Sequence, residues 1–310
     1  MSKLKLIPLI SIFIYIVPLN SIGQGCSDAG FCTIDSFKPN NSDSTDMSDS
    51  TKALYNQFKV GVFAGSADHS ISVYGSYLEY NRLFSDQFSL DFKLTSLAQI
   101  GNGISEFGIS DVFVNMNYRA SKKIKLTLGA KIPLSNGGKS LDGLPLPMDY
   151  QASLGTFDLI FGIGYEIKKF QIIAAIQQPL TQNSNQFFAS SYPPSSAIRS
   201  FQSTNEFKRN GDVLLRLSYP FAIGEKFKLT PSMLAIYHLS NDQYTDELNV
   251  EREISGSQGL TLNGNIYVDY EINNKNSIQF NMGKPVIVRE ARPDGLTRSF
   301  IANLEYRVRF

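Results

Sequence analysis

The chain has 310 residues, 42% hydrophobic and 18% charged, with a formal net charge of +1, so charge points to no nucleic acid. Its two cysteines exclude a disulfide-built scaffold. A mean hydropathy of −0.13 and the lack of any long apolar run after residue 22 exclude a helical membrane protein. They leave room for a barrel, whose strands alternate lipid-facing and lumen-facing residues.

Residues 1–23 have the make-up of a secretory signal. Lys3 and Lys5 start it, Leu6 to Leu19 form an apolar core, and Ser21-Ile22-Gly23 is a small-x-small cleavage site. The alternative, a membrane anchor, meets a core too short to span and broken by Pro8 and Pro18. Acylation of Cys26 is a second alternative, against which Gly23-Gln24-Gly25 lacks the apolar residue of a lipobox. Residues 24–55 are rich in Ser, Asp and Asn and bury too little to offset ordering entropy. They predict a short disordered periplasmic segment, either a mobile tail or a loose plug. Within it Cys26 and Cys32 are candidates for one small disulfide loop in an oxidising compartment. Without a CxxC or further histidines, no metal site and no cofactor is expected.

From Gln57 onward the pattern is strand after strand. Phe58 to Ala67 and Ser72 to Phe84 come first, then Phe88, Leu90, Phe92 and Leu94 alternating with Ser89, Asp91, Lys93 and Thr95. A repeat follows. Asp111 to Tyr118, a turn with Lys122-Lys123 and an alternating run to Pro133 recur as Asp158 to Tyr165, Lys168-Lys169 and a run to Pro179. Asp212 to Tyr219 starts a third copy, and Leu262 to Pro285 is a looser fourth. Such self-similarity marks one supersecondary unit used repeatedly, here a β-hairpin. Tyr118, Tyr165, Tyr219 and Tyr270 precede the short turns, where an apolar ring with a wet hydroxyl suits a membrane–water boundary. The connections at 136–150, 181–206 and 241–256 are longer, the outer-membrane asymmetry.

The chain closes on Phe300, Ala302, Leu304, Tyr306, Val308 and Phe310, alternating with mostly polar residues. A strand ending on Phe310 resembles the C-terminal strand of bacterial outer-membrane barrels, which the assembly machinery reads. The fold class expected is all-β: a transmembrane antiparallel up-and-down β-barrel over residues 56–310, with about twelve strands (ten or fourteen as alternatives). Both termini would be periplasmic in a Gram-negative-type outer membrane, with lipid as the outer partner. Two features fit less well. Strand two carries Ile71, Val73 and Tyr77 on one face and Tyr74, Leu78 and Tyr80 on the other, which predicts a bulge. Pro231 removes a ladder bond inside a strand.

If the apolar set faces lipid, the lumen receives Asp91, Lys93, Asp111, Arg119, Lys125, Lys131, Asp158, Arg216, Lys228, Asp269, Glu305 and Arg307. In a narrow barrel these charges either line a polar channel or close it by pairing. Gly162, Gly164 and Gly283 on the same face leave local room for a solute. An acidic loop (Asp242, Asp246, Glu247, Glu251, Glu253) and a basic one (Arg289, Arg292, Arg298) can fold together over the mouth.

His238-Leu239-Ser240-Asn241 resembles the His-x-Ser-Asn segment of outer-membrane phospholipase A and lipid A deacylase barrels. That likeness implies His238 as base and Ser240 as nucleophile. It departs from them in Asp242, where a Gly commonly follows, and in the lumen-side position of His238; the bland alternative is a rim histidine and loop residues. The Gly108-x-x-Asp111 and Gly155-x-x-Asp158 starts, Tyr118-Arg119 and Leu128-Gly-Ala-Lys-Ile-Pro133 resemble the outer-membrane family named for the meta-pathway of phenol degradation. The resemblance implies a transporter and brings no catalytic residues. The function expected is a channel or transporter that passes or binds a small solute through a narrow charged lumen. The alternatives are a rim lipid hydrolase and a closed structural or interaction barrel.

Overall fold

Period-two alternation commits each segment to a strand with two unlike faces, and only closure removes the edges such a sheet would leave in lipid. The computed structural model describes residues 33–39, 56–295 and 299–310. The signal, Cys26, Cys32 and Arg298 lie outside the described residues.

Among the described residues twelve antiparallel strands form one closed sheet. They are β1 (Asn56–Ser66), β2 (Ser72–Leu83), β3 (Phe88–Gly101), β4 (Ile104–Arg119), β5 (Ile124–Pro133) and β6 (Asp158–Ile167). Then come β7 (Phe170–Pro179), β8 (Asp212–Ser218), β9 (Phe227–His238), β10 (Gly259–Glu271), β11 (Asn276–Ile287) and β12 (Phe300–Arg309). Each pairs with its sequence neighbours, and β1 pairs with β12 from Gln57↔Arg309 to Ser66↔Phe300. The expected twelve-stranded all-β barrel is the fold. β8 resumes past Tyr219-Pro220 as Phe221–Ile223, still paired with β9. Pro231 falls opposite that break: its carbonyl accepts from Tyr219 N at 3.2 Å, and its missing N–H is lost where the ladder is already interrupted.

Strand β8 shows the rule of the wall. Asp212, Leu214, Arg216 and Ser218 are buried, while Val213, Leu215 and Leu217 are exposed. The outer face is apolar all round, from Val62 and Leu78 through Phe161 and Leu215 to Leu304. Phe and Tyr rings pair across strands at the short-turn end: Phe88 with Tyr118 at 4.8 Å, Phe170 with Tyr219 and Phe227 with Tyr270 at 4.7 Å.

The expected bulge in strand two is absent. β1 and β2 pair in unbroken register, and the irregularities lie between Leu94 and Ser96 and between Leu262 and Asn263. The reason is that the interior is not uniformly polar. Ile71, Val73 and Tyr77 point inward with Phe63 and Leu97 and are covered by loop residues Tyr150, Phe187 and Phe201. Gly61 and Gly75 make this possible, since a Cβ at either would collide with the rings of Tyr77 and Phe63.

At the long-loop end, β3 and β4 run on into a hairpin tip at Asn102-Gly103, both with positive φ (51° and 78°). Tyr150 donates its hydroxyl to Gly101 O at 2.9 Å, and Gln99 donates to Gln151 O at 2.8 Å. The loop after β5 is thereby fixed across the mouth.

Candidate functional site in the lumen

Most connections at the mouth are too long to be simple turns, and each brings apolar residues that need cover. Met148, Leu154, Phe207 and Ile254, from three different loops, bury against one another. The loops are also laced to the strand ends by charge. His238 closes β9 with Nδ1 2.7 Å from Asp212 Oδ1 and Nε2 2.8 Å from Asp242 Oδ1. Arg209 pairs with Asp212 and reaches Asp294 at 3.5 Å. Arg289 pairs with Asp294, lies 3.7 Å from Asp242 and donates to Ser257 O at 2.9 Å. The acidic and basic loops thus meet, through Asp242 and Arg289, with Asp294 between the two arginines. Burial would raise the Asp294 carboxyl, but Arg289 and Arg209 hold it below the usual carboxylate range.

The aspartates that open the sequence repeat mark this rim. Asp111 accepts from Ser153 at 2.5 Å, Asp158 pairs with Lys131 at 3.0 Å, and Asp212 belongs to the His238 cluster. In the first two copies the Asp sits directly across from the closing proline, as Asp111↔Pro133 and Asp158↔Pro179.

Below the lid the lumen is filled. The segment Thr33–Pro39 lies inside the barrel, with one 3-10 turn at Asp35–Phe37. Ile34 and Phe37 bury against Phe113, Ile160, Ile173 and Leu214, a patch of inward apolar residues on β4 to β8. Gly162, one of the glycines expected to leave room for a solute, leaves room for the Phe37 ring instead. Burial of that ring is worth about 1.5–3 kcal/mol.

Every residue from Thr33 to Lys38 makes a wall contact. Lys93 Nζ meets Thr33 Oγ1 at 3.0 Å and its carbonyl at 3.3 Å. Asp35 pairs with Lys59. Ser36 Oγ sits 2.7 Å from Asp91 Oδ2 and 2.6 Å from Asn117 Oδ1. Arg216 donates to the Phe37 carbonyl, and Lys38 pairs with Glu305 at 3.0 Å.

Of the charges expected in the lumen, Asp91, Lys93, Asp111, Lys131, Asp158, Arg216, Asp269, Glu305 and Arg307 are buried. Lys125 and Lys228 are half-buried near the short turns, and Arg119 is exposed at the end of β4. Arg307 bridges Glu305 and, at 3.2 Å, Asp269. Lys59, Glu79 and Asn117 were not singled out from the sequence, which named Tyr77 only for its face of strand two and residues 24–55 only as a tail or loose plug, without the segment Thr33–Pro39. Its signal was Ile34 and Phe37, two bulky apolar residues in an otherwise polar stretch.

The candidate catalytic trio is not drawn together. His238 has both ring nitrogens engaged by carboxylates, and Ser240 is exposed. Asn241 accepts from Gln258 N at 3.0 Å and lies 3.3 Å from Glu253.

No family model matches the chain, and no curated protein matches it. Among solved structures it is similar to the NanC porin, with 10% identity, a TM-score of 0.44, and 83% of this chain and 99% of that one covered. It is also similar to the KdgM porin in complex with disordered oligogalacturonate (6%, 0.38, covering 83% and 98%). The translocator domain of the autotransporter NalP from Neisseria meningitidis gives 8% and 0.40, covering 84% and 88%. Closed strand pairing, an apolar exterior and aromatic pairs at one rim make the chain a transmembrane β-barrel of the outer-membrane type.

Proposed function

We propose that this barrel is an outer-membrane channel for a small solute, closed by its own segment Thr33–Pro39 and by the laced loops above it. The observation that carries the reading is the unbroken run of wall contacts from Thr33 to Lys38. A lumen meant only as a scaffold would be filled by wall side chains. Here the filling is supplied by a separate segment, one that can leave without breaking a single strand pair. The short-turn end and both termini face the periplasm, the lid faces outward, and β12 is the strand presented to the assembly machinery. The resemblance to the phenol-degradation family stands on its few motifs and names no solute.

Single-channel conductance in a planar bilayer tests the reading. Wild-type protein is expected to be silent or rarely open, and Phe37→Ala to give discrete openings. A folded Phe37→Ala protein that stays silent would favour the second reading, a closed interaction barrel, which the mouth-spanning loops support. The rim hydrolase has no such support. Equal fatty-acid release by wild type and Ser240→Ala is expected, and a loss confined to the variant would revive it.

A further inference from the structure

The groups that hold the segment are themselves held by the wall. Lys59 keeps Glu79 at 2.9 Å, and Lys93 lies 4.1 Å over the Tyr77 ring. Tyr77 is tied in turn to Glu305 at 2.5 Å and to Asn303 at 3.0 Å. Arg216 lies 5.9 Å from the centre of the Tyr267 ring. Asp91 accepts from Asn81 at 2.8 Å and from Asn117 at 2.7 Å, and Thr127 fixes Asn117 at 2.7 Å. Each of these groups is thus anchored by the wall as well as by the segment, which is the condition for binding a ligand without the cost of building its site.

What they read is peptide chemistry. Two main-chain carbonyls four residues apart, those of Thr33 and Phe37, receive Lys93 and Arg216. Between and beside them lie a cation for an acid, a carboxylate for a base, and an apolar seat at Gly162 for a bulky side chain. A simple ion offers nothing to that seat, and a hydrocarbon offers nothing to the four charged groups.

We propose that the lumen is a peptide-binding site open in trans. The solute class it takes is then a short peptide with an acidic residue two places before a bulky apolar one and a basic residue next after it. The chain's own segment is the resident competitor. This rests on the channel reading, and a binding measurement separates the two.

The test uses full-length protein carrying Asp35→Lys and Phe37→Ala, in detergent, with the fluorescent peptide Thr-Ile-Asp-Ser-Phe-Lys-Pro and a scrambled peptide of the same composition. Anisotropy is expected to show saturable binding of the matched peptide, and binding at least about 100-fold weaker in wild type, where the resident segment lowers the competent fraction. Adding Gly162→Leu should abolish it by filling the seat. Equal binding of the scrambled peptide, or none to a variant whose heat-modifiable migration shows it folded, overturns the inference. If the double variant does not fold, Phe37→Ala alone takes its place with the same expectations. Channels that open in these variants yet bind no peptide would leave the channel reading standing and remove this one.

Discussion

The ring of Phe37 occupies the space that a side chain on Gly162 would need. Gly162 lies within β6 and is not among the glycines with positive φ, so a larger residue there meets the ring and not a backbone penalty. Gly162→Leu is therefore expected to evict the segment and leave the barrel folded. Chymotryptic cleavage after Phe37, a residue only 1% exposed, should rise sharply while strand content stays constant. Cleavage no faster than in wild type would place the seat elsewhere. Phe37→Ala should loosen the segment in the same direction, at about 3–5 kcal/mol, read by channel opening, since the variant removes the chymotryptic site.

His238 faces two carboxylates, and carboxylates only accept. Both ring nitrogens must donate, so the bridge needs the imidazolium. The cluster of Asp212, Asp242, Asp294, Arg209 and Arg289 also balances only when His238 carries a proton. The bridge is complete at low pH and is lost as rising pH removes that proton. Amide exchange over 239–258, corrected for intrinsic rates, should step up on alkalinisation in wild type. His238→Gln should show no such step, and a step of equal size in the variant would assign it to another group.

Acid should loosen the same lid by a different route. The Asp294 carboxyl is held low by Arg289 and Arg209. Its contribution is present above the unfolded value, about 3.9, and is lost as pH falls through the lower folded value. Arg209→Ala strips one partner from Asp212 and Asp294. It is expected to cost about 3–5 kcal/mol at neutral pH and to move acid loosening of the loops to higher pH. A variant with an unshifted acid midpoint would show that Arg289 alone sets it.

The two faces of β8 give a paired test of the membrane. Leu215 points outward at mid-strand and Arg216 inward. Leu215→Arg should destabilise folding into lipid vesicles by about 2–4 kcal/mol, the cost of a cation at the bilayer midplane. Leu215→Phe should be close to neutral. Equal urea midpoints for the two variants would mean that this face does not meet lipid.

The barrel was legible because alternation is a local property. The Asp-to-Tyr repeat and the even strand count needed no long-range information, and β6 and β8 begin at the repeat aspartates Asp158 and Asp212. The interior was less legible, because a polar lumen was assumed. Ile71, Val73, Tyr77, Phe113 and Leu214 point inward since other chain segments cover them, and cover is invisible to periodicity. The plug was legible only in outline: residues 24–55 allowed a loose plug, but average composition, which Ile34 and Phe37 barely move, did not show which residues enter the lumen. His238 was noticed for its neighbour in sequence, Ser240, whereas its partners lie 26 and 4 residues away.

The pairing of β1 with β12 bears on the order in which the molecule is made. The ladder from Gln57↔Arg309 to Ser66↔Phe300 joins the first strand to the last, the strand pairing most distant in sequence. That seam forms only after every other strand has left the ribosome and crossed to the membrane. Thr33–Pro39 precedes β1, so it is available throughout this delay, and four of its partners, Lys59, Asp91, Lys93 and Asn117, lie on the early strands β1, β3 and β4, while Arg216 and Glu305 follow on β8 and β12. The early strands can therefore gather the segment first, and the cylinder then shuts around a guest already in place. Enclosure would be a matter of timing, with no need to thread a chain into a finished pore.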